Sequence, residues 1–263
     1  MLRHERLTGI LEAVAASGSL SVEEISGTFD ISVATARRDL DHLASQQLVD
    51  RTRGGAVAQS VTYDLPLRYK SVRQSAEKQR IAAAAAAMVT PGTVVGLNGG
   101  TTNTELARHL ATRADLVPSI PSSVTSFTIV TNALNIANEL TVRPHIKIVV
   151  LGGVARPQSY ELIGPLTNNV LDELTIDLLF IGVDAISPRD GAQAAHEGEA
   201  KINQMMVGRA GRVVVVADST KLGARAFCRI CTPAQIDVLI TDLSADPLMV
   251  NAFEKAGITV TLV

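Results

Sequence analysis

Seven short runs rich in valine, isoleucine, leucine and threonine, at 93–97, 127–130, 146–151, 178–183, 213–217, 238–241 and 259–263, recur along this chain after residue 90. Their apolar residues are consecutive rather than alternate, as in strands buried on both faces of a parallel sheet. Helical patterns fit between the runs at 104–112, 133–140, 165–174, 197–210 and 247–256. Another, from 67 to 89, precedes the first run and carries six consecutive alanines, the best helix former. This alternation confines the region to an α/β layered domain with a mostly parallel sheet.

The 58 residues at the start read differently. Leu7, Ile10, Leu11 and Val14 recur at helical spacing and predict an amphipathic helix ending near Ser17 and Gly18. Ser21 and Glu24 form a capping box for a second helix that buries Val22, Ile25 and Phe29. Asp30 and Ile31 make a turn, and Ser32 is the natural N-cap of a third helix. On that helix Val33, Ala36, Leu40 and Leu43 share the face expected to meet a core. Ala34, Thr35, Arg38 and His42 take the opposite side, with Arg37 and Asp41 on a flank. Two strands, at 48–49 and 56–57, flank Arg51, Arg53 and a Gly-Gly pair. Three helices and a hairpin of this size make a winged helix-turn-helix, mainly α, with the third helix placed to enter a DNA major groove. The DNA-binding set is then Ser32, Ala34, Thr35, Arg37, Arg38, His42, Arg51 and Arg53. A small helical module that binds a protein is the alternative. Asp39 and Asp41 are placed to hold Arg37 and Arg38, or to be solvated charges.

Two domains fit a chain of 263 residues. We expect the first at 1–58, a linker at 59–76 that is turn-rich up to Pro66, and the second at 77–263. A net charge of −2 supplies no general basic field, so any DNA binding comes from local placement of arginines. Residues 1–58 hold six arginines (3, 6, 37, 38, 51, 53) against eight carboxylates (5, 12, 23, 24, 30, 39, 41, 50), and four of those arginines lie on the third helix and the wing. No apolar run is long enough to cross a bilayer, and the N-terminal pattern is not a secretory signal, so no membrane partner and a cytoplasmic location are expected.

In the second domain the polar residues follow the strands. Asn98, Gly99, Gly100, Thr101 and Thr102 come after the first run, then Thr131 and Asn132, Gly152 and Gly153, Asp184, and Asp218 with Lys221. The carboxyl edge of an open parallel sheet is where ligands bind. The 99–102 stretch opens a helix, which suits a phosphate without being a Walker loop. Lys221 can add a point charge, while Glu197, Glu199 and Lys201 begin a helix expected to close the cleft. Read singly, the glycine pair is a turn, the two aspartates are strand-end caps and Lys201 is a solvated residue. The Cys228 and Cys231 pair lacks partners for a zinc site, and no metal or cofactor is expected.

These residues resemble a known family. SVATARRDL followed by RTRGGAV looks like the amino-terminal domain of the DeoR-type repressors of bacterial sugar metabolism. NGGTT, IVTNAL, LGG, DLLFIGVD, EAK and ADSTKLG, in that order, look like their effector-sensing domain, which is similar in fold to ribose-5-phosphate isomerase. Three positions depart from the pattern: Arg53 for a usual His, Ala36 for a β-branched residue, and Asn98 for Asp. The resemblance implies a repressor of a carbohydrate operon, with operator DNA and a phosphorylated sugar as partners and no catalytic residues. The effector contacts it implies are Asn98, Gly99, Gly100, Thr101, Thr102, Thr131, Asn132, Gly152, Gly153, Asp184, Lys201, Asp218 and Lys221. Recognition of repeated half-sites makes a homo-oligomer, dimer or tetramer, the expected form. The alternatives are a sugar-phosphate isomerase working through Asp184, Asp218 and Glu199, and a sensor that binds a protein. The 114–126 stretch, with two prolines and several serines, is a lid or a plain loop.

Overall fold

A computed structural model describes residues 2–46, 48–58, 74–117 and 125–263. The chain divides into two units, 1–73 and 74–263. The turn-rich stretch 59–66, the start of the expected alanine-rich helix at 67–73 and most of the 114–126 stretch lie outside the described residues.

The first unit holds α1 (Arg3–Ser17), β1 (Ser19–Ser21), α2 (Val22–Thr28), α3 (Val33–Ser45), β2 (Val49–Thr52) and β3 (Gly55–Ala58). The capping box forms as its residue types dictate: the Glu24 N–H donates to Ser21 Oγ at 3.1 Å and the Ser21 N–H to Glu24 Oε2 at 2.7 Å. Ser32 caps α3 through the Thr35 N–H at 3.2 Å. Leu7, Ile10, Leu11 and Val14 of α1 pack with Val22, Ile25, Ala36, Leu40 and Leu43 into one core. Val33 departs from the helical-wheel expectation. It is 39% exposed, because the first residue of α3 projects beyond the edge of that small core. Phe29 is only half-buried.

The wing has a third strand that the sequence pattern does not announce. β1 pairs with β3, which pairs with β2, all antiparallel. A Cβ at Gly55 would lie 2.3 Å from the Leu20 carbonyl oxygen, so only glycine lets the two backbones approach this closely.

The acid residues of α3 also find other partners than expected. Asp39, buried, accepts from Arg6 Nε of α1 at 2.7 Å, and Asp41 accepts from Arg51 Nε of the wing at 2.9 Å. Neither holds Arg37 or Arg38. Truncation leaves a largely buried guanidinium without its carboxylate, so Asp39→Ala is expected to cost about 3 kcal/mol in urea unfolding of the first unit. A loss within a few tenths of a kcal/mol would show that the pair does not pin α1 to α3.

The second unit contains α4 (Ser75–Ala87), β4 (Val94–Leu97), α5 (Thr101–Thr112), β5 (Phe127–Thr131), α6 (Leu134–Leu140) and β6 (Ile146–Val150). There follow β7 (Val154–Ala155), β8 (Leu162–Ile163), α7 (Asn168–Asp172), β9 (Ile176–Gly182), β10 (Ala185–Ser187), β11 (Gly191–Ala194) and α8 (Glu197–Gly208). The last elements are β12 (Ala210–Val216), β13 (Cys228–Cys231), β14 (Val238–Thr241), α9 (Pro247–Lys255) and β15 (Thr259–Leu262). All seven apolar runs become strands of one parallel sheet in the order β15-β14-β12-β9-β4-β5-β6. One face packs on α4, α5 and α6, where Ala82, Ala85 and Ala86 let α4 lie close. The other face packs on α8, Phe253 of α9 and a small antiparallel sheet, β10-β11-β13. The expected helix at 165–174 is instead a 3-10 turn at Pro165–Thr167 followed by α7. The helix expected from 104 begins at Thr101.

The strand order places the site. From β4 the chain runs outward through β5 to β6, then returns to lay β9 on the opposite side of β4. The carboxyl ends of β4 and β9 therefore flank a topological switch point, where the loops diverge and leave a crevice.

Candidate functional site

At the start of α3 the N-cap Ser32 and Val33, Ala34, Arg37 and Arg38 are exposed, with Thr35 half-buried beside them, and Asp41 and Ser45 are exposed further along. Arg37, Arg38 and the wing-tip Arg53 are exposed, and none has an ion-pair partner among the described residues. Arg51 differs. Besides Asp41 it donates to the Gly55 carbonyl at 2.5 Å, which ties the wing to α3. His42 lies half-buried in the last turn, its Nε2 accepting from the Gln46 amide at 3.0 Å. Small side chains at the start of a helix with free guanidinium groups behind them form a surface that can enter a major groove.

In the second unit the switch point is built by Asn98. Its Nδ2 donates to the Gly182 carbonyl at 3.0 Å, and its Oδ1 accepts from the Gly182 N–H at 2.8 Å and from Asn103 Nδ2 at 2.7 Å. The side chain thus clamps the end of β4 to the end of β9, and its polar atoms are occupied by the protein itself. A neutral amide does this because it both donates and accepts. Gly100 takes the N-cap position of α5, so no N-cap side chain bonds the first-turn N–H groups. Thr101 is half-buried there, and Thr102 and Asn103 are buried.

Several residues expected at this edge have local roles. Thr131 accepts from the Ala133 N–H at 3.0 Å. The Gly152 carbonyl accepts from Thr167 Oγ1 at 2.7 Å, and a Cβ at Gly153 would meet the Ile163 carbonyl at 2.7 Å, so this pair packs the β7–β8 hairpin against the loop beyond it. Asp218 accepts from the Thr220 N–H at 3.2 Å and from its hydroxyl, capping a short turn that ends at half-buried Lys221. Lys201 is exposed, its Nζ donating to Gln204 at 3.3 Å along the same helix.

The structure brings other groups in. Glu161, 4% exposed, stands just before β8 and lies against Gly99, where an added Cβ would come within 2.3 Å of its Oε1. Its Oε2 accepts from Asn132 Nδ2 at 3.0 Å. Arg156 pairs with Glu199 at 3.1 Å, each side chain 11% exposed, and Asp184 accepts from the Ala195 N–H at 2.9 Å. Burial, together with the charges of Glu199 and Asp184, pushes the Glu161 carboxyl up to about 8, against the opposing bonds from Asn132 and the Gly99 N–H. At neutral pH it is mostly an uncharged acid. Glu161 and Arg156 escape a sequence reading because the 154–163 segment has neither periodicity nor motif. The one signal is a glutamate flanked by Tyr160 and Leu162.

Elsewhere, Cys231 on β13 is buried and its thiol is pushed up to about 11, so it stays protonated and inert. No helix among the described residues is long and apolar enough to cross a membrane.

Two family models match this chain: the DeoR-like helix-turn-helix domain over residues 6–62 and the DeoR C terminal sensor domain over 73–243. The HTH-type transcriptional regulator GlpR of Haloferax volcanii is 35% identical over 99% of this chain and 98% of its own length. The glycerol-3-phosphate regulon repressor of Escherichia coli K12 is 29% identical, covering 92% of each chain. A ribose 5-phosphate isomerase A from Methanocaldococcus jannaschii aligns with 57% of this chain and 55% of its own at 20% identity and a TM-score of 0.41, too distant a likeness to add to the fold. The relatives are regulators, and the isomerase alternative gives way. This chain belongs to the DeoR family and is a DNA-binding transcriptional regulator, not an enzyme.

Proposed function

We propose that this regulator represses a carbohydrate-catabolism operon, and that a phosphorylated sugar at the carboxyl edge of its sheet sets its affinity for the operator. The observation that carries the effector half is the start of α5 at the switch point, where N–H groups without a side-chain cap and Thr101 lie beside the Asn98 clamp. Backbone N–H groups backed by a helix dipole suit a phosphate. A relative named for glycerol-3-phosphate supports an anion of this kind. The DNA half rests on Ser32, Ala34, Thr35, Arg37 and Arg38 of α3, with Arg53 at the wing tip. His42 and Arg51 contribute through their ties to Gln46 and Asp41. A single recognition helix offers few contacts, so the working form is a two-fold homo-oligomer on paired half-sites.

The test is gel retardation of DNA upstream of the gene and its neighbours, repeated across a panel of sugar monophosphates. At least one member should shift the operator affinity of the wild-type chain. Thr101→Val should lose that shift and keep DNA binding, since it removes a hydroxyl from the cradle and leaves the residues of α3 and the wing unchanged. An unchanged dose response in the variant would contradict the phosphate site.

A further inference from the structure

Glu161 is used neither by the DNA contacts nor by the start of α5, yet it is a buried acid at the carboxyl edge of the sheet. Its side chain lies so close to residue 99 that only glycine leaves it room, and the N–H of that glycine bonds it. The Asn132 carboxamide holds its other oxygen, while Asn132 Oδ1, itself buried, has no partner among the described residues. Asp184 at the end of β9 and Glu199 on α8 act on Glu161 through their charge, and Arg156 beyond β7 is already on Glu199. This wall therefore presents a carboxyl group, an unsatisfied carboxamide oxygen and two further carboxylates, with one cation among them. It is rich in acceptors and short of positive charge. A hydroxyl-bearing carbon chain brings O–H donors for the Asn132 oxygen and an acceptor for the Glu161 O–H, whereas a phosphate brings negative charge beside Glu199 and Asp184.

We propose that Glu161, seated between Gly99 and Asn132, is the specificity-determining residue of the effector site: it takes the hydroxyl-bearing end of a sugar monophosphate and refuses a second phosphate. This rests on the effector reading above, with the single phosphate at the start of α5. Glu161 also occupies the Gly99 N–H, which narrows the cradle to the amides that follow.

The experiment is calorimetric titration of the full chain with fructose and ribose monophosphates, the corresponding bisphosphates and inorganic phosphate. Wild type, Glu161→Gln and Glu161→Ser are compared, each checked for a cooperative melt. Wild type should prefer a monophosphate over its bisphosphate by at least about tenfold, since a second phosphate would find the Gly99 N–H already taken by Glu161 and the charges of Glu199 and Asp184 beside it. Glu161→Ser should erase the preference and bind inorganic phosphate more tightly than wild type. Glu161→Gln, which keeps the shape, should move the same way by less. A wild type that binds monophosphates while both variants keep its preference would overturn the role of Glu161 and leave the effector reading standing. A wild type that binds no member of the panel would overturn the effector reading, and this inference with it.

Discussion

Arg38→Ala weakens operator binding by at least about thirtyfold and leaves effector-induced thermal stabilisation of the second unit intact: that is the result this structure leads us to expect. Arg38 is exposed on α3 and has no carboxylate partner among the described residues. Arg6 and Arg51 are committed to Asp39 and Asp41. An exposed guanidinium without a carboxylate partner among the described residues adds little to folding, and its loss reads out in binding. A bidentate contact of this kind to a base is worth about 1–3 kcal/mol. Two copies acting on paired half-sites double that figure, so the affinity should fall between about thirtyfold and twenty-thousandfold. The slope of binding against salt should shrink as well if the lost contact is to phosphate. Fluorescence anisotropy on the operator at two salt concentrations checks both. An affinity within twofold of wild type would remove α3 from its role as the recognition helix.

The second large effect concerns Glu161 and pH. Its carboxyl sits at about 8 in the folded chain, raised first by burial and then by Glu199, against an ordinary value of 4.5. The folded state therefore keeps a proton that the unfolded chain releases. The stability tied to this proton is fully present below pH 4.5 and is lost progressively up to about 8, at roughly 1.4 kcal/mol per pH unit. Glu161→Gln keeps the shape and cannot ionise. It should match wild type near pH 5 and exceed it by roughly 3 kcal/mol near pH 7 in urea unfolding of the second unit. Parallel pH profiles for the two proteins would mean that Glu161 is charged in the fold and better solvated than its surroundings indicate.

Much of this architecture can be read from the residues alone, for identifiable reasons. Strands such as Ile176–Gly182 are covered on both faces and so appear as unbroken apolar runs. The helix-turn-helix is legible because its caps, Ser21 with Glu24 and Ser32, are local pairs three residues apart. What stays hidden is long-range or very short. Asp39 finds Arg6 thirty-three positions away, where a helical wheel sees only its neighbours Arg37 and Arg38. The two-residue strands β7 and β8 and the alanine- and glycine-containing strands β10 and β11 carry no period-two signal. Motif residues such as Asn98 and Asp218 are placed correctly at strand ends, but a motif does not say which way a side chain turns. Asn98 clamps β4 to β9, Asp218 caps a turn, and the acid that enters the crevice is Glu161, on a segment with no motif.

Coupling between the two units is the claim on which the rest depends, and linkage offers a direct measure of it. If a sugar phosphate changes operator affinity by some factor, the operator must change the affinity for that sugar phosphate by the same factor. Calorimetric titration of the effective panel member into the wild-type chain, free and saturated with operator DNA, should give two dissociation constants. Their ratio should equal the ratio of operator constants measured with and without the sugar phosphate. Identical effector affinity in the presence and absence of operator would contradict the account.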